Sequence, residues 1–273
     1  MDLLYGKPIA EEMLDRLKGE IFLLEKKPAL AVVLVGNDEA SKIYVNLKEK
    51  AAKKTGIEFF KYLISENADE KEILQLIDFL NKDSEINGII VQLPLPQKFD
   101  AEKIIGLIDK KKDVDGFLGE FKPVFSSAIM LMIESSGERI AGKKAVVICN
   151  SDDFGKSMVT ILTQKDVFAE YVLAGDISAN LGKIGAADVV VSAVGSLGLL
   201  RGEMLKDSAI LIDGGIEKVN GKVFGDADFA SFEGKNGYIS PVPGGVGPVT
   251  IACLLENTFL AFKAQQKEEY SPC

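Results

Sequence analysis

The chain contains no histidine and no tryptophan, and it has only three cysteines among its 273 residues. Without histidine it can build neither a Ser-His-Asp triad, nor a Cys-His pair, nor a zinc site with histidine ligands. Any proton transfer that the protein catalyses near neutral pH therefore falls to lysine, tyrosine, aspartate or glutamate.

The cysteines, Cys149, Cys253 and Cys273, are scattered, and none belongs to a Cys-x-x-Cys pair. This pattern predicts reduced thiols rather than a disulfide framework. The start of the chain, Met1 to Met13, lacks the basic and apolar segments of a signal peptide, and no apolar run approaches the ~20 residues needed to cross a bilayer. We therefore expect a cytoplasmic protein with no membrane partner.

Positive charge is scarce, because 32 basic residues against 41 acidic ones give a formal net charge of −9. A chain of this sign repels a phosphate backbone, and the basic stretch from Lys42 to Lys54 is interrupted by Glu49, so we expect no nucleic-acid partner. The residues are 47% hydrophobic and 27% charged, which is typical of one large or two ordinary globular domains. A small-molecule substrate fits this composition best.

Short apolar runs alternate with amphipathic segments along the whole chain. Runs that are apolar on both faces, separated by helices, indicate parallel sheets built from βαβ units. We therefore predict an α/β fold with two doubly wound domains, residues 1–120 and 121–248, and a last helix over 249–273 that returns to the first domain. The predicted strands are Ala29–Gly36, Ile57–Ile64, Ile86–Leu93, Lys144–Cys149, Ala169–Leu173, Asp188–Val194 and Ala209–Asp213.

Helical periodicity is present in both halves, with glycine and proline marking the ends. Phe117–Pro123 is a candidate hinge, and residues 267–273 form a tail that we expect to be frayed. The predicted helices are Pro8–Leu24, Glu39–Thr55 closed by Gly56, Asp69–Leu80, Ala101–Asp109, and a last helix from Val249 to about Gln265 after the Pro/Gly-rich loop Pro241–Pro248.

Tyr44 and Lys48 are four residues apart on a predicted helix, so they project from the same face. This spacing would place an aromatic platform and an amine in one pocket. The simpler interpretation is that the two side chains only straddle the boundary of the core. Lys50 and the neighbouring lysines fit a solvated helix face.

Two further segments place polar residues where ligands of α/β sheets bind. Gln92 follows an apolar strand and precedes Pro94 and Pro96, and ligands bind outside the carboxyl ends of such strands. Asp115 lies in Asp113-Val-Asp115-Gly116, which also fits a plain Asp-Gly turn. Each segment alone has a structural explanation, a strand end in one case and a turn in the other.

Taken in order, the motifs of this chain resemble those of the bifunctional methylenetetrahydrofolate dehydrogenase/methenyltetrahydrofolate cyclohydrolase family over most of its length. The resemblance implies a second domain of the Rossmann type that binds NADP or NAD, a tetrahydrofolate substrate, and a homodimer formed through the nucleotide domain. The matching motifs are Tyr44-Val-x-x-Lys48-x-Lys50, Val91-Gln-Leu-Pro-Leu-Pro96, Asp113-Val-Asp115-Gly116, Asp213-Gly-Gly-Ile216, Gly225-Asp226-Ala-Asp228-Phe229 and Pro241-Val-Pro243-Gly244-Gly245-Val-Gly247-Pro248-Val-Thr250.

The resemblance also implies roles for single residues. Lys48 is the catalytic residue, Tyr44 stacks on the folate, Gln92 works with Lys48, and Asp115 binds the pterin ring. A lysine desolvated against Tyr44 would have a lowered pKa, which suits the addition of water to a cationic methenyl bridge. Further substrate contacts are expected at Val91, Leu93, Pro243, Gly244 and Gly247, nucleotide contacts at Cys149, Asn150, Ser151, Gly155, Asp176, Gly195 and Ile216, and metal ligands at none.

The chain departs from the family at the nucleotide turn. The family has Gly-Arg-Ser there, whereas this chain has Cys149-Asn150-Ser151 and lacks the arginine that would pair with the 2′-phosphate of NADP. Asp176, about 25 residues after the turn, suits a ribose hydroxyl and would repel a 2′-phosphate, although it could equally be a helix N-cap or a turn acid. Two interpretations stay open: an NAD-preferring enzyme, or a decayed dehydrogenase site.

A second departure follows the candidate hinge. The family has Pro-Cys-Thr-Pro ahead of the interdomain helix and a longer loop before it, and in this chain only Pro123 keeps the pattern. The shortened loop predicts an altered rim between the two domains.

Overall fold

A computed structural model describes residues 1–269 of the chain. The prediction of a reduced thiol at Cys273 lies outside the described residues. The prediction of a frayed tail over residues 267–273 lies outside them for residues 270–273. The chain folds into two compact units. The first unit comprises Glu11–Val124 and the chain from Ile251 onward, and the second comprises Met1–Ala10 and Phe125–Thr250.

Helices and strands alternate along both units, as the apolar runs indicate. Short 3-10 helices cover Ala174–Asn180, Gly202–Met204 and Phe229–Phe232. The α-helices are α1 (Gly6–Phe22), α2 (Glu39–Thr55), α3 (Glu70–Lys82), α4 (Ala101–Ile105), α5 (Val124–Glu134), α6 (Asp152–Thr163), α7 (Leu181–Ala186) and α8 (Val246–Glu269). The strands are β1 (Asp2–Leu3), β2 (Ala29–Val35), β3 (Glu58–Ile64), β4 (Gly88–Val91), β5 (Lys144–Cys149), β6 (Phe168–Leu173), β7 (Val189–Ala193), β8 (Ile210–Asp213), β9 (Glu217–Val219), β10 (Lys222–Phe224) and β11 (Tyr238–Ile239).

The first unit is built on a parallel sheet with the order β3-β2-β4 in its described residues. Every residue of β2 is buried, as expected of a central strand covered on both faces. From β2 the chain runs through α2 to β3 on one side, and then crosses through α3 to β4 on the other side. The direction of winding therefore reverses between β2 and β4, and ligands of open α/β sheets bind at such a switch point.

Helix α2 has clear signals at both ends. The Asp38 side chain accepts a hydrogen bond from the Ser41 backbone N–H at 2.7 Å, which caps the first turn. Gly56 ends the helix in the left-handed conformation, with φ of 87°. The predicted bounds of this helix, Glu39–Thr55, are confirmed.

The second unit contains a parallel sheet with the order β1-β11-β8-β7-β5-β6, and β9 and β10 form a separate antiparallel hairpin. The chain leaves β5 through α6 to β6 on one side, and then returns to β7 on the other side of β5. The winding therefore reverses between β5 and β7. The predicted fold of two doubly wound α/β domains, the second of the Rossmann type, is confirmed.

The first ten residues differ from the expected division at residues 1–120. Strand β1 pairs in parallel with β11, with Asp2 opposite Tyr238 and Leu3 opposite Ile239, so the amino terminus groups with the second unit. A strand of two residues shows no periodicity, and the sequence pattern therefore gives no sign of it.

Helix α8 was predicted to begin at Val249 but begins at Val246. Pro248 fits inside the first turn, where a missing N–H leaves no intrahelical bond unmade. By length and apolar composition Val246–Lys267 could span a membrane, contrary to the expectation of no such run, but 67% of its apolar window is buried. That burial is typical of a core helix, and from Ile251 onward the helix belongs to the first unit, as predicted.

Candidate active site

The first crevice lies at the switch point between β2 and β4, within the first unit. Helix α2, which follows β2, carries Tyr44 and Lys48, and Gln92 directly follows β4. The Lys48 ammonium nitrogen Nζ lies 2.9 Å from Gln92 Oε1, at hydrogen-bond distance. Residues 44 apart in the sequence are thus brought together as predicted.

The amide of Gln92 is fixed at its other end. Its Nε2 donates a hydrogen bond to the Leu93 carbonyl oxygen at 2.6 Å, which leaves Oε1 to accept from Lys48. Val91 is buried at the end of β4, whereas Leu93 is 37% exposed. Of the two apolar residues predicted to touch the substrate, Leu93 therefore presents more side-chain surface.

Asp115 reaches the same crevice through a segment that runs beside β4. Asp113 forms a parallel bridge with Ile89, so the register carries Asp115 toward the carboxyl end of β4. The buried Asp113 carboxylate accepts hydrogen bonds from the N–H of Gly116 at 3.3 Å and of Leu118 at 2.6 Å. The turn and the site interpretations of this motif are therefore compatible, because Asp113 shapes the turn and Asp115 is left to face the crevice.

The electrostatics of Lys48 and Asp115 are coupled. Burial lowers the pKa of Lys48, and the negative charge of Asp115 opposes this effect. Burial raises the pKa of Asp115, and the charge of Lys48 opposes that shift in turn. A half-buried amine with a lowered pKa can hold or release a proton closer to neutral pH than an exposed lysine can.

Two polar residues of this region were given no role in the sequence analysis. Ser41 precedes Tyr44 and Lys48 by three and seven residues on the same helical stripe, and its buried Oγ has no hydrogen-bond partner in the described part of the chain. Asn257 of α8 donates through Nδ2 to the carbonyl oxygens of Val114 and Lys122, both at 2.9 Å, and so anchors the turn of Asp115. The sequence could have pointed to Asn257, because it is a polar residue within an otherwise apolar helix.

The second crevice lies at the switch point between β5 and β7, within the second unit. Ser151 caps α6 by accepting a hydrogen bond from the Phe154 N–H at 3.2 Å, and the helix amino terminus offers backbone N–H groups to an anion. Asn150 Nδ2 donates to the Val194 carbonyl oxygen at 2.7 Å across the switch point. The thiol of Cys149, buried and free, donates to the Ser151 carbonyl oxygen at 3.3 Å.

Gly155 and Asp176, also predicted to contact the nucleotide, lie near the end of β6. A Cβ on Gly155 would be 2.6 Å from the Tyr171 ring, so glycine lets α6 approach this strand. The Tyr171 hydroxyl donates to Asp152 Oδ1 at 2.9 Å and holds this carboxylate in the first turn of α6. Asp176 lies exposed in the first turn of the 3-10 helix Ala174–Asn180 and does not cap it, because the N-cap is Leu173.

Gly195 and Ile216, the remaining predicted nucleotide residues, are adjacent through their backbones. Gly195 has φ of 80°, and a Cβ placed on it would be 3.0 Å from the Ile216 carbonyl oxygen. Both follow strands of the same sheet, β7 and β8, at their carboxyl ends. This wall of the crevice is therefore formed by main chain.

The Pro/Gly-rich loop is held by backbone bonds within the second unit. Gly245 N–H donates to the Pro241 carbonyl oxygen at 2.7 Å, and Gly6 N–H donates to the Gly244 carbonyl oxygen at 2.9 Å. Pro243 and Gly244 precede α8, whereas Gly247 lies in its first turn. Their contact with substrate stays a prediction.

Two cavities of the first unit, of about 450 and 480 Å³, are lined by none of the predicted site residues. In residues 1–269 no three cysteine or carboxylate side chains are grouped so as to hold a metal ion.

Comparison with known proteins agrees with this geometry. A family model described as "Tetrahydrofolate dehydrogenase/cyclohydrolase, catalytic domain" matches residues 4–115, and its companion "NAD(P)-binding domain" matches residues 123–266. The chain is 41% identical to the bifunctional protein FolD of Campylobacter hominis, over 98% of this chain and 99% of that protein. It is 40% identical to that of Acetivibrio thermocellus, over 97% and 98% of the two chains.

Solved structures give the same result. The methylenetetrahydrofolate dehydrogenase-cyclohydrolase of Trypanosoma brucei, complexed with NADP and an inhibitor, superposes with a TM-score of 0.92 at 32% identity, covering 97% of this chain and 98% of that one. The bifunctional enzyme of Campylobacter jejuni gives 0.90 at 36% identity, covering 97% and 99%. The chain therefore belongs to the tetrahydrofolate dehydrogenase/cyclohydrolase family.

Proposed function

We propose that this protein oxidises 5,10-methylenetetrahydrofolate to the methenyl form with NAD or NADP, and hydrolyses that product to 10-formyltetrahydrofolate in one-carbon metabolism. The observation that carries the proposal is the contact of Lys48 Nζ with Gln92 Oε1 at 2.9 Å, beside Asp115. It joins a base of lowered pKa to a partner that orients it and a carboxylate that can bind the substrate.

In the hydrolysis step, water adds to the cationic methenyl carbon and Lys48 is the group that accepts its proton. Burial favours the neutral amine, which a base requires and which does not repel the cation. As the carbon–N5 bond breaks, Lys48 returns the proton to N5 and the hydroxyl proton of the adduct leaves to solvent as the carbonyl forms, so that the methenyl cation and water give neutral 10-formyltetrahydrofolate and one proton. Gln92 holds the amine, Tyr44 offers its ring to the folate, and the Asp115 carboxylate accepts hydrogen bonds from the amino-pyrimidine edge of the pterin.

In the oxidation step, the chain supplies binding and alignment. A bound NAD or NADP would supply the hydride acceptor for the methylene carbon, and the chain would need no acid or base for this step. The second crevice fits a dinucleotide, because the amino terminus of α6 offers N–H groups to the pyrophosphate and Gly195 leaves the main chain open to close approach. Ser151, Asn150 and Ile216 border that space.

The charges around the second crevice favour NAD. Asp152 is held by Tyr171, Asp153 adds a second carboxylate to the first turn of α6, and Asp176 follows β6. A 2′-phosphate would add negative charge beside these groups. We expect NAD to give the higher kcat/KM, and Asp152→Asn to narrow the ratio between NAD and NADP by a few-fold; a wild-type preference for NADP would contradict this.

The same carboxylates support a second candidate, a cyclohydrolase with weak or lost dehydrogenase activity. Asp152 and Asp153 compete with the pyrophosphate for the amino terminus of α6. The deciding assay supplies the purified chain with methylenetetrahydrofolate and either nucleotide, and then measures methenyl hydrolysis without nucleotide. If neither nucleotide is reduced, the bifunctional proposal fails and the cyclohydrolase is the function that stands. If methenyltetrahydrofolate is not hydrolysed either, the protein is a folate-binding paralogue without turnover.

We also propose a homodimer formed through the second unit and a cytoplasmic location. Strand β6 ends the sheet of that unit and carries Phe168, whose side chain is 71% exposed. An apolar edge strand is a common dimer surface. Sedimentation should give a dimer mass, and Phe168→Asp should shift it to the monomer. The free thiols of Cys149 and Cys253 suit a reducing compartment.

A further inference from the structure

Two motifs of the second unit, Asp213-Gly-Gly-Ile216 and Gly225-Asp226, have no part in the chemistry described so far. Their aspartates are almost fully buried, Asp213 at 3% and Asp226 at 0% exposure. A buried carboxylate is costly unless hydrogen-bond donors surround it. The hydrogen-bond donors around each carboxylate show which segment of main chain that carboxylate fixes in place.

Asp226 binds the turn that follows β7. It accepts hydrogen bonds from the backbone N–H of Val194 at 2.9 Å, of Gly195 at 2.7 Å and of Ser196 at 2.7 Å. The buried Ser192 hydroxyl donates to the same carboxylate at 2.5 Å. Bonds from successive residues to one anion fix the path of the turn, because charge-assisted hydrogen bonds are shorter and stronger than neutral ones.

Asp213 in turn holds the segment that carries Asp226. It accepts hydrogen bonds from the N–H of Gly215 at 3.0 Å, of Asp226 itself at 3.1 Å and of Ala227 at 2.9 Å. The two carboxylates therefore act in series. Asp213 fixes the main chain at Asp226, and Asp226 fixes the turn after β7.

The glycines of both motifs allow the carboxylates to lie this close to main chain. A Cβ on Gly215 would be 2.1 Å from Asp226 Oδ1, and a Cβ on Gly225 would be 2.1 Å from Asp213 Oδ2. Any larger residue at either place must displace a carboxylate. Each motif thus pairs its aspartate with a glycine that makes room for the aspartate of the other.

The turn held in this way forms one wall of the second crevice. The Val194 carbonyl oxygen accepts the hydrogen bond from Asn150 that crosses the switch point, and the Gly195 backbone lies against Ile216. We propose that Asp226 is a positioning residue for the nucleotide, which fixes the turn of Val194–Ser196 against it, and that Asp213 positions Asp226. The proposal rests on nucleotide binding by the second unit, as in the proposed function.

The test is Asp226→Asn, measured by the fluorescence of bound NADH and by two activities. The amide cannot accept from all four donors, so we expect NADH binding and the KM for the nucleotide to weaken at least tenfold. Methenyl hydrolysis, which uses the first unit, should stay within twofold of wild type. Asp207→Asn, an exposed aspartate of the same unit, is the matched control and should change neither.

Unchanged NADH binding in Asp226→Asn would overturn the proposal, as would a parallel loss of hydrolysis, which would indicate a general effect on folding. If this variant does not fold, Ser192→Ala keeps the charge and removes one donor, and we expect NADH to bind about threefold more weakly. Wild-type binding in Ser192→Ala would then count against the proposal. If the wild type binds NADH but reduces neither nucleotide, the proposed dehydrogenase fails while the positioning role remains tested.

Discussion

The two units use the same topology for different kinds of chemistry. Each has a parallel sheet whose winding reverses, between β2 and β4 in the first and between β5 and β7 in the second. The side chains that we propose to act on the folate, Lys48, Gln92 and Asp115, lie at the first crevice, whereas main chain held by buried carboxylates borders the second. Proton transfer needs a tuned side chain, and hydride transfer needs alignment, so the difference follows from what each reaction requires.

Replacing Lys48 in the first crevice should lower the rate of hydrolysis more than any other substitution. We expect Lys48→Met to lower the hydrolysis of methenyltetrahydrofolate about 1000-fold, because it removes the proposed base. The measurement is the loss of methenyl absorbance, corrected for the spontaneous rate. Lys50→Met, two residues further along α2 and exposed, is the control. Hydrolysis at the wild-type rate in Lys48→Met would show that the first crevice does not depend on a reactive side chain.

The buried carboxyl group of Asp213 in the second unit should be detectable in the pH dependence of stability. Burial raises the pKa of Asp213 from 3.8 to about 6. The folded state therefore binds a proton more readily than the unfolded chain, and the resulting stability is complete below pH 4 and is lost as pH rises through 6. Relative to Asp213→Asn, the wild type should gain roughly 2.4 kcal/mol of unfolding free energy between pH 7 and pH 4.

Urea unfolding of both proteins, followed by circular dichroism from pH 4 to pH 7, measures the difference between their unfolding free energies. The Asn variant is the control for every other titrating group. If the difference between the two unfolding free energies did not change with pH, the raised pKa of Asp213 would be contradicted.

Removing the partner of Lys48 should have a smaller effect than removing Lys48. In Gln92→Leu the amine loses the acceptor at 2.9 Å, and we expect hydrolysis to fall about thirtyfold, in line with a hydrogen bond to a charged or polarised group. The pH–rate profile should shift as well, since Gln92 touches the titrating amine. Gln97→Leu, an exposed glutamine after the same strand, should keep the wild-type rate and profile.

The smallest effect should come from the helix that begins the second crevice. In Gly155→Ala the new methyl group lies 2.6 Å from the Tyr171 ring, so the ring or α6 must move. We expect NADH to bind about tenfold more weakly and hydrolysis to be unchanged. Gly182→Ala meets no atom within 4 Å and serves as the control. Equal loss of both activities would show that the two crevices are not independent.

The sequence predicted the positions of the site side chains better than the path of the main chain. The shared helix face of Tyr44 and Lys48 was predicted from helical spacing and the strand-end position of Gln92 from an apolar run, because these patterns are local. The pairing of Gln92 with Lys48 was implied only by the family resemblance. The path that brings Asp115 beside β4 depends on the bridge of Asp113 to Ile89, which no local pattern indicates.

Main-chain features left weaker signals. The turn after β7 binds Asp226 through backbone N–H groups, which every residue except proline has, so the only signal in its sequence is a glycine. Strand β1 and the hairpin of β9 and β10 are too short for periodicity, and the glycines before α8 suggested a loop where the helix already begins. For the turn after β7 and for strand β1, the partner that supplies the stabilising contact is distant in the sequence, Asp226 in one case and β11 in the other.

The bonds from Asn257 to the turn of Asp115 also constrain the order in which the chain folds. Asn257 and Val114 are separated by 143 residues, so this contact forms only after the residues up to Asn257 have been synthesised. The sheet residues of the second unit all emerge before Asn257 does. Because contacts between residues distant in the sequence form slowly, the turn of Asp115 is anchored only after most of the first unit has been synthesised.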